Sequence, residues 1–317
     1  MKKIIIIVLT VIIALFLIGI AKDQVIKAVI TVAATQISGA PVHINGFSLG
    51  LTNQSVRISG LKIYNPPGFS KGILVDIPKI KVVCDLGGLL QKKIHLSNVD
   101  FELKEMILEK NKKGELNVDA LKVAQKQEGK PGQPQAQQQM PLQIDELKLK
   151  MGRVVSKGYG AAGEQTISVY DINLDKSYKN ITSAQQLAAL IISEPMKSAG
   201  IQGAKVYGAA ALAGAAILPV AVIATIAGRD SVEQDFNVNF DRLYDTSLKI
   251  VQEMGKVSGE NKQTGVISAT VNTASVTLEL KKISAGKSHM TISARKYLFP
   301  RPEIALGVMY QISEKLK

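Results

Sequence analysis

Hydrophobic positions follow four successive patterns along this chain. The first is continuous. After Met1-Lys2-Lys3, residues 4–21 are uncharged and almost wholly apolar, broken only by Thr10 and Gly19. As a helix this run reaches about 27 Å, close to the hydrocarbon thickness of a bilayer. It predicts a membrane anchor over residues 1–21, with Ile4, Leu9, Leu15 and Ile20 among its lipid-facing side chains. Lysines before the run and none inside it favour a cytoplasmic N-terminus. A cleaved signal peptide is the rival, because Gly19-Ile20-Ala21 is a passable small-x-small site. The apolar core exceeds a usual signal-peptide core, which favours an uncleaved anchor. No cysteine lies near it, so it is not a lipoprotein signal.

The second pattern is a helix over residues 22–37, with Val25, Val29, Val32 and Ala33 on one stripe and Gly39 past its end. From residue 41 to 109 the period becomes two. Val42 and Ile44 alternate, then Phe47, Leu49 and Leu51, then Val56 and Ile58, then Leu61 and Ile63. After the turn Asn65-Pro66-Pro67-Gly68 come Val75 and Ile77, then Ile80, Val82 and Cys84, then Ile94 and Leu96, then Phe101 and Leu103. This predicts half-buried antiparallel strands. Val42, Ile44, Val56, Ile58, Ile63 and Val82 should form one continuous apolar face, the candidate lipid-facing surface. Residues 85–92 suit a short helical turn.

Residues 124–141 hold seven glutamines, three prolines and two glycines. With little to bury, they predict a flexible loop. Strand alternation resumes at Leu142 and runs through Leu149, Val154-Val155, Ile167, Val169, Ile172 and Leu174. A helix follows over 182–193, with Ser183 as its cap. Residues 206–228 are charge-free and rich in Ala and Gly. Gly200, Ala204, Gly208 and Gly214 belong to small-residue spacings that let helix backbones approach closely. Pro219 splits the stretch. It is a second spanning helix, a hairpin bent at Pro219 that dips into the membrane, or a helix buried in protein. Length and lack of charge favour membrane association. Residues 231–317 predict a small α+β unit. Phe236, Val238 and Phe240 form a strand, Asp241 caps a helix closed by Gly255, three strands follow, and a last helix spans about 303–316.

The 317 residues carry a net charge of +13, yet nucleic acid is a poor partner. The lysines are scattered among acids, there is no Trp, and aromatics are only 5%. Cys84 is the only cysteine, so there is no internal disulfide and no thiolate metal cluster. Gly158-Tyr159-Gly160-Ala161-Ala162-Gly163 matches the letters of a dinucleotide fingerprint. Gln165 to Leu174 then alternates as a strand where the fingerprint needs a helix, so the glycines read as a hairpin loop. Gly286-Lys287-Ser288 lacks the upstream glycine of a phosphate-binding loop and reads as a turn. His43, His95 and His289 have no metal-ligand spacing. Asp76, Asp85 and Asp100 could converge on one sheet edge, where solvated charges that block strand addition are the ordinary explanation. No enzyme signature, cofactor site or metal site emerges.

The stretch from Gly39-Ala40-Pro41-Val42-His43-Ile44-Asn45-Gly46-Phe47 through Val56-Arg57-Ile58-Ser59-Gly60-Leu61 to Asn65-Pro66-Pro67-Gly68-Phe69 resembles the AsmA-like family. The membrane anchor and helix before it extend the match. So do Ile94-His95-Leu96, Leu108-Glu109-Lys110-Asn111 and Gly114-Glu115-Leu116-Asn117-Val118-Asp119 after it. The resemblance covers residues 1 to about 195. It implies an inner-membrane-anchored, largely periplasmic envelope protein of a Gram-negative bacterium. It also implies a curled β-sheet with an apolar groove, linked to outer-membrane biogenesis and phospholipid movement. Residues 232–317, with Leu243-Tyr244-Asp245, resemble more loosely an uncharacterised domain of small bacterial lipoproteins. That resemblance favours a periplasmic C-terminal unit.

Together these readings predict an anchor (1–21), an AsmA-like β-sheet domain (22–195), an Ala/Gly-rich helical segment (196–230) and a small α+β domain (231–317). The expected partner is phospholipid acyl chains, with other envelope proteins or a second copy as further partners. The alternative is a structural or assembly protein that binds envelope proteins through its sheet edge and C-terminal domain, without lipid cargo. A groove open to solvent favours the first; a closed core favours the second.

Overall fold

The computed structural model describes residues 22–85, 87–88, 93–122, 142–159, 163–201 and 231–317. The predicted anchor, the Gln/Pro-rich loop and the charge-free stretch after residue 205 lie outside these residues. So do Ile4, Leu9, Leu15, Ile20, Ala204, Gly208 and Gly214. Among the described residues no helix is long and apolar enough to cross a membrane.

Two six-stranded sheets organise the chain. The first runs β1 (Val42–Gly50), β2 (Ser55–Tyr64), β3 (Ile73–Cys84), β4 (Ile94–Glu109), β5 (Leu142–Tyr159) and β6 (Gln165–Ile181), in that spatial order. Short connections account for this order except between β4 and β5. All pairs are antiparallel except β4 with β5, which are parallel. The expectation of a wholly antiparallel sheet is therefore corrected: the sheet is mixed. The physical reason is the long connection after Glu109. It is long enough to return the chain to the start of β4, as a parallel crossover requires.

The apolar alternation slips by one residue at matching levels in neighbouring strands. Ile44 is followed by Phe47, Ile58 by Leu61, Ile77 by Ile80, Leu103 by Met106 and Met151 by Val154, each three apart. The slips are in register: Ile44 pairs with Leu61, Phe47 with Ile58, and Ile58 with Ile80. Leu103 pairs with Met151 and Met106 with Val154. Local breaks accompany them. Gly60 adopts φ 61°, and a Cβ there would lie 2.5 Å from the Asn45 amide nitrogen. Asn173 takes φ 42° where the β5–β6 register shifts. Such breaks let a sheet bend while one face stays apolar.

Helix α1 (residues 22–38) runs along the free edge of β1. Lys22 Nζ donates to the Leu49 carbonyl at 2.9 Å, and Asp23 Oδ1 accepts from the Leu49 N–H at 3.2 Å. Near the other end of the helix, Thr35 Oγ1 accepts from the Val42 N–H at 3.2 Å. Backbone groups that would otherwise invite another strand are thus occupied. Ile30 and Ala34 face the sheet, whereas Val25, Val29 and Val32 of the predicted stripe are turned to solvent.

Helix α2 (Ala184–Ser198) starts at the predicted cap: Ser183 Oγ accepts from the Gln186 N–H at 3.0 Å. It runs five residues past the predicted end, through Pro195. It closes where the Ile201 N–H reaches the Met196 carbonyl and the Gly200 N–H reaches the Lys197 carbonyl, each at 2.9 Å. Gly200, expected as a helix-packing position, is instead the left-handed residue of this ending, with φ 69°.

The residues behind the family resemblance hold one another. Asn117, fully buried, donates to Asn65 Oδ1 at 2.7 Å and to the Ile107 carbonyl at 2.9 Å. Asn65 in turn donates to Glu109 Oε2 at 3.1 Å, and the Ser70 N–H donates to Glu109 Oε1 at 2.9 Å. Thus the Pro66-Pro67-Gly68 turn is tied to the end of β4 and to the short 3₁₀ turn Asn117–Ala120.

The second sheet contains β7 (Ser231–Phe236), β8 (Gly255–Asn261), β9 (Val266–Val271), β10 (Ala274–Ser284), β11 (Lys287–Lys296) and the short β12 (Phe299–Pro300). Helices α3 (Phe240–Met254) and α4 (Pro302–Leu316) pack on it. Three expectations here are corrected. The strand ends at Phe236 rather than continuing to Phe240. The helix cap is Asn239, whose Oδ1 accepts from the Arg242 N–H at 2.9 Å, not Asp241. Strand β8 follows Gly255 directly and was not expected, since its residues are polar and mostly exposed.

Helix α4 also lies against the first sheet. Ile107, Val155, Ile167 and Val169, on the reverse face of β4–β6, join the core of the second sheet. A Cβ at Gly307 would come within 2.1 Å of the Ile167 carbonyl oxygen. Arg153 donates to Glu105 Oε2 at 2.9 Å while its guanidinium sits 5.2 Å from the Tyr310 ring centroid.

Candidate functional site: the apolar face of the first sheet

The six residues expected to face lipid share one side of the first sheet. Val42, Ile44 and Ile58 are buried, and Val56, Ile63 and Val82 are half-buried against the same cluster. Strand pairing carries this face across the sheet. Val56 pairs with Val82, Val82 with Val99, Val99 with Leu147, and Leu147 with Tyr178.

Cover on this face is uneven. Helix α1 flanks β1, and α2 packs on β5 and β6, where Leu190 meets the cluster of Val99, Ile144, Leu147 and Ile181. The 3₁₀ turn brings Val118 and Leu121 over the end nearer the second sheet. Between these covers Val56, Ile63, Val82, Leu96 and Phe101 stay partly open to solvent. A face of β-branched and aromatic side chains with partial cover can take up extended hydrocarbon.

Among the described residues, a cluster of charge stands on this face beneath α2. Lys176 stands at an apolar-face position of β6, paired with Leu149. Its Nζ lies 3.0 Å from Glu194 Oε2, and Lys197 Nζ lies 3.7 Å from Glu194 Oε1. Burial alone would raise the Glu194 carboxyl. The bond from Lys176, the neighbouring Tyr178 hydroxyl and the two ammonium charges outweigh that and hold it below its ordinary range. Tyr178 is pushed upward, chiefly by burial and then by Glu194. Its hydroxyl sits beside Glu194 but outside good hydrogen-bond geometry. Sequence reading missed this cluster; a lysine in the apolar phase of a strand was its only signal.

Away from the part of β4–β6 that α4 covers, the opposite face is polar. Lys81 pairs with Asp100 and Asp100 with Lys148; Lys79 pairs with Glu102 and Glu102 with Lys150. Opposite charges alternate across the strands, as on a solvated outer surface. Asp76 and Asp100 therefore sit in central strands, and Asp85 follows the end of β3. They do not gather on one edge.

The remaining candidates for chemistry are dispersed. His95 Nε2 lies 2.8 Å from Asp145 Oδ2, and His289 Nδ1 lies 2.7 Å from Asp235 Oδ1. His43 Nε2 meets Asn45 Oδ1 at 3.0 Å. Among the described residues no group of His, Cys, Asp or Glu could hold a metal ion. Cys84 is buried, its thiol donates to the Gln54 carbonyl at 3.4 Å, and burial, then Asp85, pushes its pKa up. Gly158 lies within β5, pairing with Thr166 of antiparallel β6, and residues 160–162 of the glycine-rich stretch lie outside the described residues. Lys287-Ser288 open β11 after a turn.

The AsmA family profile matches residues 1–291. That span reaches beyond residue 195, to which the sequence resemblance extends, and into the second sheet. No curated protein matches the chain.

Proposed function

This chain belongs to the AsmA family, and from that premise we propose that it is a non-enzymatic, inner-membrane-anchored envelope protein that holds phospholipid acyl chains on the apolar face of its first sheet. The observation that carries this reading is the partly open apolar row of Val56, Val82, Leu96 and Phe101 between α1 and α2. Leaving such side chains in water costs about 25 cal/mol per Å² of apolar surface, which hydrocarbon would recover. Strand addition at the β1 edge, one part of the assembly alternative, is disfavoured because side chains of α1 occupy that strand's backbone.

Dimensions set how such a protein would act. Six strands at ~4.8 Å spacing make a sheet about 25 Å wide, and β5 with its 18 residues reaches at most about 60 Å. It would act near the inner membrane, assemble end to end, or pass lipid to a partner.

Native mass spectrometry of the detergent-extracted full chain tests this. We expect retained phospholipid in the wild type and a severalfold loss in the double variant Val56→Gln, Val82→Gln. Both positions are half-exposed, so the fold should tolerate the change. Equal lipid retention by the two proteins would overturn the reading.

A further inference from the structure

The turn between β11 and β12 is built against the usual rules. Lys296 pairs with Phe299, which leaves Tyr297 and Leu298 as a two-residue hairpin loop. Such loops ordinarily use Asn, Asp or Gly, because left-handed backbone is required. Here Tyr297 takes φ 57°, an uncommon conformation for a bulky residue. The side chains carry a second cost. Tyr297 is 87% exposed, Leu298 85% and Phe299 73%. Strain and exposed apolar area thus coincide at one projecting point, a combination that marks functional surfaces.

The flanks indicate what the tip meets. Arg295-Lys296-Tyr297-Leu298-Phe299-Pro300-Arg301 contains three cations and no acid. Glu303, just beyond, is engaged by Arg301. Aromatic side chains concentrate at membrane–water interfaces, and basic residues beside them are attracted to anionic headgroups. Shape points the same way. A convex two-residue apex can enter a fluid interface, whereas a protein partner would need a matching pocket.

We propose that the Tyr297-Leu298-Phe299 tip inserts into the interfacial layer of an anionic phospholipid bilayer, forming a membrane contact separate from the apolar face of the first sheet. It would set the second sheet against a membrane surface and orient the lipid-holding face relative to it. The proposal does not depend on lipid occupying that face.

The chain contains no Trp, so Leu298→Trp creates a single, selectively excitable tryptophan reporter at an exposed position. The full chain carrying it is reconstituted into phosphatidylglycerol membranes with brominated acyl chains, and the same vesicles are also added externally. We expect blue-shifted emission and quenching by about twofold or more, falling at least about twofold in brominated phosphatidylcholine or on adding Lys296→Glu. Water-like, unquenched emission in every membrane would overturn the proposal. Blue-shifted emission without bromine quenching would also overturn it, by showing the tip buried against protein or a second copy. Equal quenching in both lipids would overturn the anionic assignment.

Discussion

Ile58→Asp should unfold or severely weaken the first sheet. Ile58 is 8% exposed and pairs with Phe47 on one side and Ile80 on the other, within the main apolar cluster. An aspartate there loses the buried methyl groups and places a carboxylate where no cation is within the strand pairs. The expected loss is about 3 kcal/mol or more. For a domain of this size that lowers the melting temperature by about 10 °C. Arg57→Asp, one residue away on the polar face, is the control and should change stability by no more than about 0.5 kcal/mol. Circular dichroism melts of both variants check this. A wild-type melt for Ile58→Asp would show that the face is not the core of the sheet.

Gly307→Ala should destabilise the protein although it improves the helix. Alanine in the middle of α4 is worth about 1 kcal/mol over glycine on propensity alone. The close approach to Ile167 reverses the sign. A Cβ would sit 2.1 Å from the carbonyl oxygen and 2.8 Å from its carbon, and backbone cannot step aside cheaply. Overpacking of this kind costs about 1–3 kcal/mol beyond the propensity gain. Hydrogen exchange locates the effect. Amides of β6 around Ile167–Val169 should exchange faster, while those of the α3 core, such as Leu243 and Val251, keep their protection. A stabilised variant with unchanged exchange would mean that α4 does not rest on β6.

Much of the architecture is legible in the alternation. The slips from Ile44 to Phe47, Ile58 to Leu61 and Ile77 to Ile80 are visible as three-residue gaps in an otherwise two-residue period. They place Val42, Ile44, Val56, Ile58, Ile63 and Val82 on one face, as found. Ser183 was readable as a cap because a hydroxyl residue precedes a helical period. The parallel pairing of β4 and β5 was not readable. Alternation reports which face is buried, not the direction of a neighbour, and the Gln/Pro-rich connection conceals the crossover. Strand β8 was invisible because an exposed polar edge strand carries no apolar period. The reverse-face contact did leave a signal that was overlooked. Met106-Ile107-Leu108 and Val154-Val155 are continuous apolar runs, the mark of strands buried on both faces. For the candidate site, the floor residues follow from period two. The openness between α1 and α2 depends on where two helices lie, and local sequence does not encode it.

The central claim is that hydrocarbon lies on the face bearing Val82. A photoactivatable amino acid at Val82, in the full chain within its native envelope, tests this most directly. Lys81, on the polar face one residue away, serves as the control position. The account predicts a phospholipid adduct at position 82, with the crosslink on an acyl carbon, and none at 81. Adducts to protein alone at position 82, or equal lipid labelling at both positions, would contradict it.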